Sequence, residues 1–226
     1  MPATYSKDNP SSLPDFNNTE QAYAHLSSGE LRRALLLFQT VGNAQLVGFG
    51  KTLMQWAMAL RIPIGWAIRP TIYSHFCGGE TIEGCEEQVG KLHRSSVRTI
   101  LDYSAEGKET EDELESTFEA ILEAIKATDQ DNRHAFGVFK VSGIAPTVIL
   151  ELVSEDKALT DDQQKAWERV RFRVAVLCQE AARIKTPVFI DAEESWLQPA
   201  IDHLAEEQML LHNHTEALVF NTVQLY

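Results

Sequence analysis

Cysteine is scarce: Cys77, Cys85 and Cys178 are the only three in 226 residues. Their odd number and the lack of any CxxC spacing argue against a disulfide framework and a thiolate zinc site, and fit a reducing compartment. Basic residues are also few, 20 Lys and Arg against 33 Asp and Glu, for a net charge of −13. A field of that sign repels polyanions, so no nucleic-acid partner is expected. Met1–Glu30 contains no arginine and no apolar h-region, which argues against a secretory signal or a transit peptide. The expected location is the cytoplasm. Charges and Pro63 break the apolar runs before they reach the roughly 20 residues that span a bilayer.

Another absence is local. Leu31–Gly79 holds no Asp or Glu, while Arg32, Arg33, Lys51, Arg61 and Arg69 occur there with Trp56 and Trp66 among apolar residues. Two readings fit: a helical arm packed on the rest of the chain, which is preferred, or a segment resting peripherally on an anionic inner-membrane surface.

What is present is enough apolar residue, 44%, for a sizeable core. Met1–Asn18, rich in Ser, Pro, Asn and Asp, reads as a loose leader. Ser27-Ser28-Gly29-Glu30 has capping-box spacing, and Leu31, Leu35 and Phe38 open a helical stripe. Gly42, Gly48 and Gly50 are expected to interrupt it. A further helix carries Ile82, Cys85, Val89 and Leu92 on one face. From Val97 strand-like and helix-like segments alternate. The strands are Val97–Leu101, Ala135–Val141, Pro187–Ile190 and Ala217–Val223. The helical stripes are Leu114, Phe118, Ile121, Leu122 and Ile125; then Trp167, Val170, Val174, Leu177, Cys178 and Ala181; then Leu197, Ile201 and Leu204.

Such alternation predicts an α/β fold with a parallel sheet and helices packed outside it. Four strands are about half of a (β/α)8 barrel. The expected organisation is a leader and helical arm over 1–94, then the first four βα units of a barrel over 95–226, completed by further polypeptide.

Chemistry on such folds sits at the carboxyl ends of the strands. Lys140 ends an apolar strand there, where an ammonium suits a Schiff base, a substrate carboxylate or plain solvation. Asp191 directly follows Pro-Val-Phe-Ile and is the first candidate for a functional carboxylate. Glu193 and Glu194 are adequately explained as acids at a helix start. His212 and His214 precede a strand and read as loop residues away from the expected mouth. The acidic run Lys108–Glu123 reads as a solvated helix face.

Five strings in series then resemble the proline dehydrogenase family in order and spacing: Phe76-Cys77-Gly78-Gly79-Glu80-Thr81, Ile100-Leu101-Asp102-Tyr103-Ser104-Ala105-Glu106-Gly107, Phe139-Lys140-Val141-Ser142-Gly143, Ile190-Asp191-Ala192-Glu193-Glu194-Ser195 and Val223-Gln224-Leu225-Tyr226. The resemblance runs from about Phe16 onward. It implies a barrel enzyme that oxidises L-proline to Δ1-pyrroline-5-carboxylate and passes electrons through FAD to a membrane quinone. It further implies that Lys140 helps hold the proline carboxylate, that Asp191 lies by the active site, that Ala192 and Gln224 contact the flavin, and that Glu106 gates the site. The family's strand-five flavin segment and its paired substrate arginines have no counterpart in these residues. The chain alone is therefore expected neither to bind FAD tightly nor to turn over proline. The alternatives are a non-catalytic half-barrel serving as an interaction module, and a Schiff-base lyase built on Lys140.

Overall fold

The computed structural model describes residues 17–103 and 108–225. It divides into two compact units, Met1–Glu80 and Thr81–Tyr226.

The described part of the first unit is helical: α1 (Thr19–Ala22), α2 (Ser28–Val41), α3 (Ala44–Ala59), α4 (Gly65–Ile68), a π-helical turn at Arg69–Tyr73, and α5 (Ser74–Phe76). The expected capping box opens α2. Glu30 N–H donates to Ser27 Oγ at 3.3 Å, and Ser27 N–H donates to Glu30 Oε2 at 2.7 Å, so two orphan amides are satisfied reciprocally. Gly42 ends α2 as its C-cap. Asn43 Oδ1 then opens α3 by accepting from the amides of Gln45 and Leu46 at 3.0 and 3.2 Å. Gly48 and Gly50 do not interrupt this helix, contrary to the expectation from sequence. Both lie inside it, where a glycine costs about 1 kcal/mol relative to alanine without breaking the hydrogen-bond ladder.

In the second unit α6 (Ile82–Arg94) precedes β1 (Thr99–Leu101), α7 (Glu111–Lys126), β2 (His134–Phe139), a 3₁₀ turn at Val141–Gly143, α8 (Thr147–Ser154), α9 (Asp161–Ile184), β3 (Val188–Ile190), α10 (Gln198–His212) and β4 (Val219–Asn221). The strands form one four-stranded sheet in the order β1-β2-β3-β4, every pair parallel. Parallel neighbours need crossover connections, and the helices provide them. Thr110 and Thr160 cap α7 and α9 with reciprocal boxes to Glu113 and Gln163.

The expected stripes form the core. Leu114, Ile121, Ile125, Val170, Val174, Leu177, Cys178, Ala181, Leu197, Ile201 and Leu204 are all buried, together with the sheet residues Phe139, Val188, Ile190 and Val219. Gly137 shows why the packing is close: a Cβ there would lie 3.2 Å from Ile125 Cγ1. α8 is the element absent from the sequence reading. Its Thr-Val-Ile-Leu opening is β-branched and apolar, which periodicity alone reads as readily as strand.

At the end of α9, Lys185 takes the left-handed conformation at φ 58°, a place where glycine relieves Cβ strain. Lys185→Gly is expected to stabilise the unit by about 0.5 kcal/mol. A urea midpoint that does not rise on this substitution contradicts that account.

Candidate functional site

Phe139 pairs with Ile190, and Ile190 with Asn221. The next residues, Lys140, Asp191 and Thr222, therefore stand level just beyond the sheet. Lys140 continues the extended backbone at φ −98°, ψ 134°. Side chains alternate along a strand. Val188, Ile190 and Val219 join the core beneath the helices, so Phe189 and Phe220 lie on the other face. Their rings meet Phe136 there: Phe136 stacks on Phe189 with centroids 4.2 Å apart, and Phe220 sets its edge to both at 5.6 Å. By the same alternation Lys140, Asp191 and Thr222 continue this aromatic face.

Four of the expected positions are joined in one series of hydrogen bonds, with Thr222 as a further member. Lys140 Nζ donates to Asp191 Oδ2 at 3.0 Å, with the two side chains 28% and 37% exposed. Thr222 Oγ1 donates to Asp191 Oδ1 at 3.2 Å and accepts from the Ala192 amide at 2.6 Å. Gln224 Nε2 donates to the Ala192 carbonyl at 3.3 Å. Both carboxylate oxygens of Asp191 are thus oriented, one by a cation and one by a hydroxyl. The fifth position, Glu106, lies outside the described residues.

Thr222 is the member the sequence reading missed. A strand drawn through Val223 absorbed it, whereas β4 stops at Asn221. Its signal was available: it is the polar residue that follows an apolar strand, the same position that marked Lys140 and Asp191.

Glu193 also departs from expectation. α10 begins at Gln198, so Glu193 and Glu194 are not in its first turn and the helix dipole does not account for them. Glu194 is exposed, but Glu193 is buried. Glu193 Oε1 accepts the Ser142 amide at 2.9 Å, and Oε2 accepts the Ser142 hydroxyl. The Glu193 amide in turn donates to Gln198 Oε1 at 2.9 Å. One buried carboxylate therefore ties the segment after β3 to the turn after β2, two residues from Lys140. Burial raises the pKa of Glu193, and the two Ser142 hydrogen bonds and the Lys140 charge only partly oppose it.

The sign of the resulting pH dependence follows from that direction. With its pKa raised in the folded state, Glu193 contributes stability that is complete below its ordinary value of 4.5 and is lost as pH rises through the higher folded value. Glu193→Gln keeps an acceptor for the Ser142 amide and should flatten this part of the stability profile. An unchanged slope above pH 4.5 in urea titrations of the variant would refute the assignment.

Elsewhere, His212 ends α10 and His214 follows it before β4. No group of three or more His, Cys, Asp or Glu among the described residues is arranged to hold a metal ion. No helix among them is long and apolar enough to cross a membrane.

The donor set at the rim suits one end of a flavin and a small amino acid. A carboxamide and a backbone carbonyl can meet the polar edge of a flat ring, aromatic side chains lie on the same sheet face, and an ammonium matches a carboxylate. FAD's diphosphate asks for more positive charge than Lys140, already engaged with Asp191, brings to this rim.

A family model described as proline dehydrogenase matches residues 85–226. The chain is 31% identical over 155 residues to the carbapenem antibiotics biosynthesis protein CarD of Pectobacterium carotovorum subsp. carotovorum, covering 69% of this chain and 41% of that one. It is 23% identical to the mitochondrial proline dehydrogenase 2 of Arabidopsis thaliana, across 100% of this chain and 57% of the relative. The chain thus spans about half the length of the curated relatives it matches. Among solved structures, proline utilization A (PutA) from Bdellovibrio bacteriovorus, inactivated by N-propargylglycine, superposes with a TM-score of 0.54 at 12% identity. That match covers 90% of this chain and 20% of the other, and at this identity it speaks for the fold alone.

Proposed function

The chain belongs to the proline dehydrogenase family, and we propose that it supplies the substrate-facing rim of an enzyme that oxidises L-proline to Δ1-pyrroline-5-carboxylate. The observation that carries this reading is the Lys140–Asp191–Thr222 arrangement, level at the carboxyl ends of parallel strands. In it Lys140 binds the proline carboxylate and Asp191 holds Lys140 in place, with its second oxygen fixed by Thr222. Ala192 and Gln224 meet the flavin, and Glu106 is the gate. FAD would supply the hydride acceptor for the ring carbon next to nitrogen, and a membrane quinone would be the final electron acceptor. The protein's part is to orient the two and exclude water.

The four parallel strands in sequential order are read as the first half of an eight-stranded barrel. On this reading the aromatic sheet face belongs to the barrel interior, and turnover requires the remaining strands. The chain acts in the cytoplasm and meets its quinone at the inner membrane. A second reading, a non-catalytic half-barrel that serves as an interaction module, draws support from the pairing of Lys140 with Asp191, which offsets the rim's positive charge and so disfavours a cofactor diphosphate there.

The test assembles the chain with a carboxyl-terminal half taken from a relative, loads FAD, and follows proline-dependent reduction of a dye. Reduction that requires both halves supports the first reading. A folded, flavin-loaded assembly indifferent to proline removes it and leaves the second.

A further inference from the structure

We propose that the α2–α3 hairpin is a lipid-binding element that lies in the plane of an anionic bilayer surface. Neither helix contains a buried residue, yet both are rich in large apolar side chains. Along α3, Leu46, Phe49, Leu53 and Trp56 are 50%, 69%, 60% and 68% exposed. Their spacing places them on one stripe at 100° per residue, with Lys51 and Gln55 on the opposite side and Gln45 and Thr52 along the stripe's Trp56 edge. Along α2, Leu31, Leu35 and Phe38 form a second exposed stripe. An apolar surface of this extent marks a binding face.

Charge identifies the occupant. From Leu31 to Gly79 the chain has no carboxylate side chain, and Arg32, Arg33, Lys51 and Arg61 accompany the stripes, within a protein of net charge −13. Arg69 is committed to Glu80 at 2.8 Å. Apolar stripes edged by cations alone are the composition of interfacial helices, whose apolar side enters the acyl boundary while basic residues meet anionic headgroups. A second copy is less suited: its hairpin repeats the same positive charge, and its whole carries the same net negative charge. The hairpin lies flat because α3, at 16 residues, is about 24 Å long, short of the roughly 30 Å hydrocarbon core.

This gives a seat to the membrane contact in the proposed function, and its test needs neither flavin nor proline, so either can fail alone. The full chain is sedimented with vesicles of phosphatidylcholine, with and without about 30 mol% phosphatidylglycerol, at low and high salt. At least tenfold stronger binding to the anionic vesicles, weakening with salt, is expected. Brominated lipid should quench tryptophan fluorescence, and less so in Trp56→Phe. Phe49→Ser with Trp56→Ser should abolish binding, with retention of the second unit checked by its unfolding transition. Lys51→Glu with Arg61→Glu leaves the apolar stripe intact and should lower anionic binding about tenfold or more. The proposal is overturned if the folded chain stays in the supernatant with anionic vesicles, if neutral vesicles bind it equally, or if both variants bind like the parent. It is also overturned if a lipid-free dimer shields Trp56 from acrylamide and no vesicle binding is seen.

Discussion

Lys140→Met, in the flavin-loaded assembly with its barrel completed, is expected to lower kcat/KM for proline about a hundredfold. A charge-assisted hydrogen bond to a carboxylate contributes about 1.5–3 kcal/mol, and the upper part of that range is two orders of magnitude. The upper part applies because Lys140 is only 28% exposed and stands beside an aromatic sheet face, where bulk water replaces the lost ammonium poorly. The loss should appear mainly in KM, since the carboxylate is bound alike in ground and transition states. Thr222→Val should act more weakly, about tenfold, because it frees one oxygen of Asp191 but leaves the cation in place. A readout without turnover is available in the chain alone: Lys140→Met should shift the NMR signals of Asp191, Ala192 and Thr222, which are linked in one series of hydrogen bonds. A Lys140→Met enzyme within threefold of the parent would remove Lys140 from substrate binding.

Particular residues show what the sequence makes legible. Lys140 and Asp191 stand out because an ionisable group that ends an apolar strand is an interruption of pattern. The stripes of α7, α9 and α10 stand out because a period of 3.6 is conspicuous over 15 to 24 residues. Glu193 and Ser142 were hidden because their pairing joins positions 51 apart in the chain, a relation that no local periodicity encodes. Glu193 was masked further by a ready local explanation, the helix start. α3 was hidden by its two glycines, whose propensity cost is real but smaller than the cooperative gain of continuing a capped helix. α8 was hidden by length, since eight residues are too few for a helical period to outvote a β-branched opening. In each case the missing information is tertiary or cooperative, while the elements that carry the proposed chemistry announce themselves locally.

Arg173 is hidden differently, inside the Arg-Val-Arg-Phe-Arg-Val run of α9, where the apolar stripe singles out only Val170 and Val174. It is 3% exposed, and Arg173→Ala is expected to cost about 3 kcal/mol of stability. The guanidinium donates to the Ile144 carbonyl at 3.0 Å, to Glu115 Oε2 from Nε at 3.0 Å and from Nη2 at 2.8 Å, and to Glu111. Glu111 and Glu115 are 45% and 51% exposed, so water rehydrates them when the cation goes. The ion pairs are therefore not the main term. The larger losses are the buried stem, which leaves a cavity, and the donor to Ile144, a fully buried residue just past the 3₁₀ turn that carries Ser142. Arg173→Met separates the two, because it refills most of the volume and forfeits only the polar bonds; it should cost about 1–2 kcal/mol. For a unit of this size a loss of about 3 kcal/mol lowers the melting temperature by about 6–12 °C. Loosening the Ile144 tether should also speed hydrogen exchange at the Ser142 amide, beyond what the stability loss alone predicts. Equal costs for the alanine and methionine variants would show that the bonds outweigh the packing, and a cost below about 1 kcal/mol for Arg173→Ala would place this guanidinium outside the structure's essential contacts.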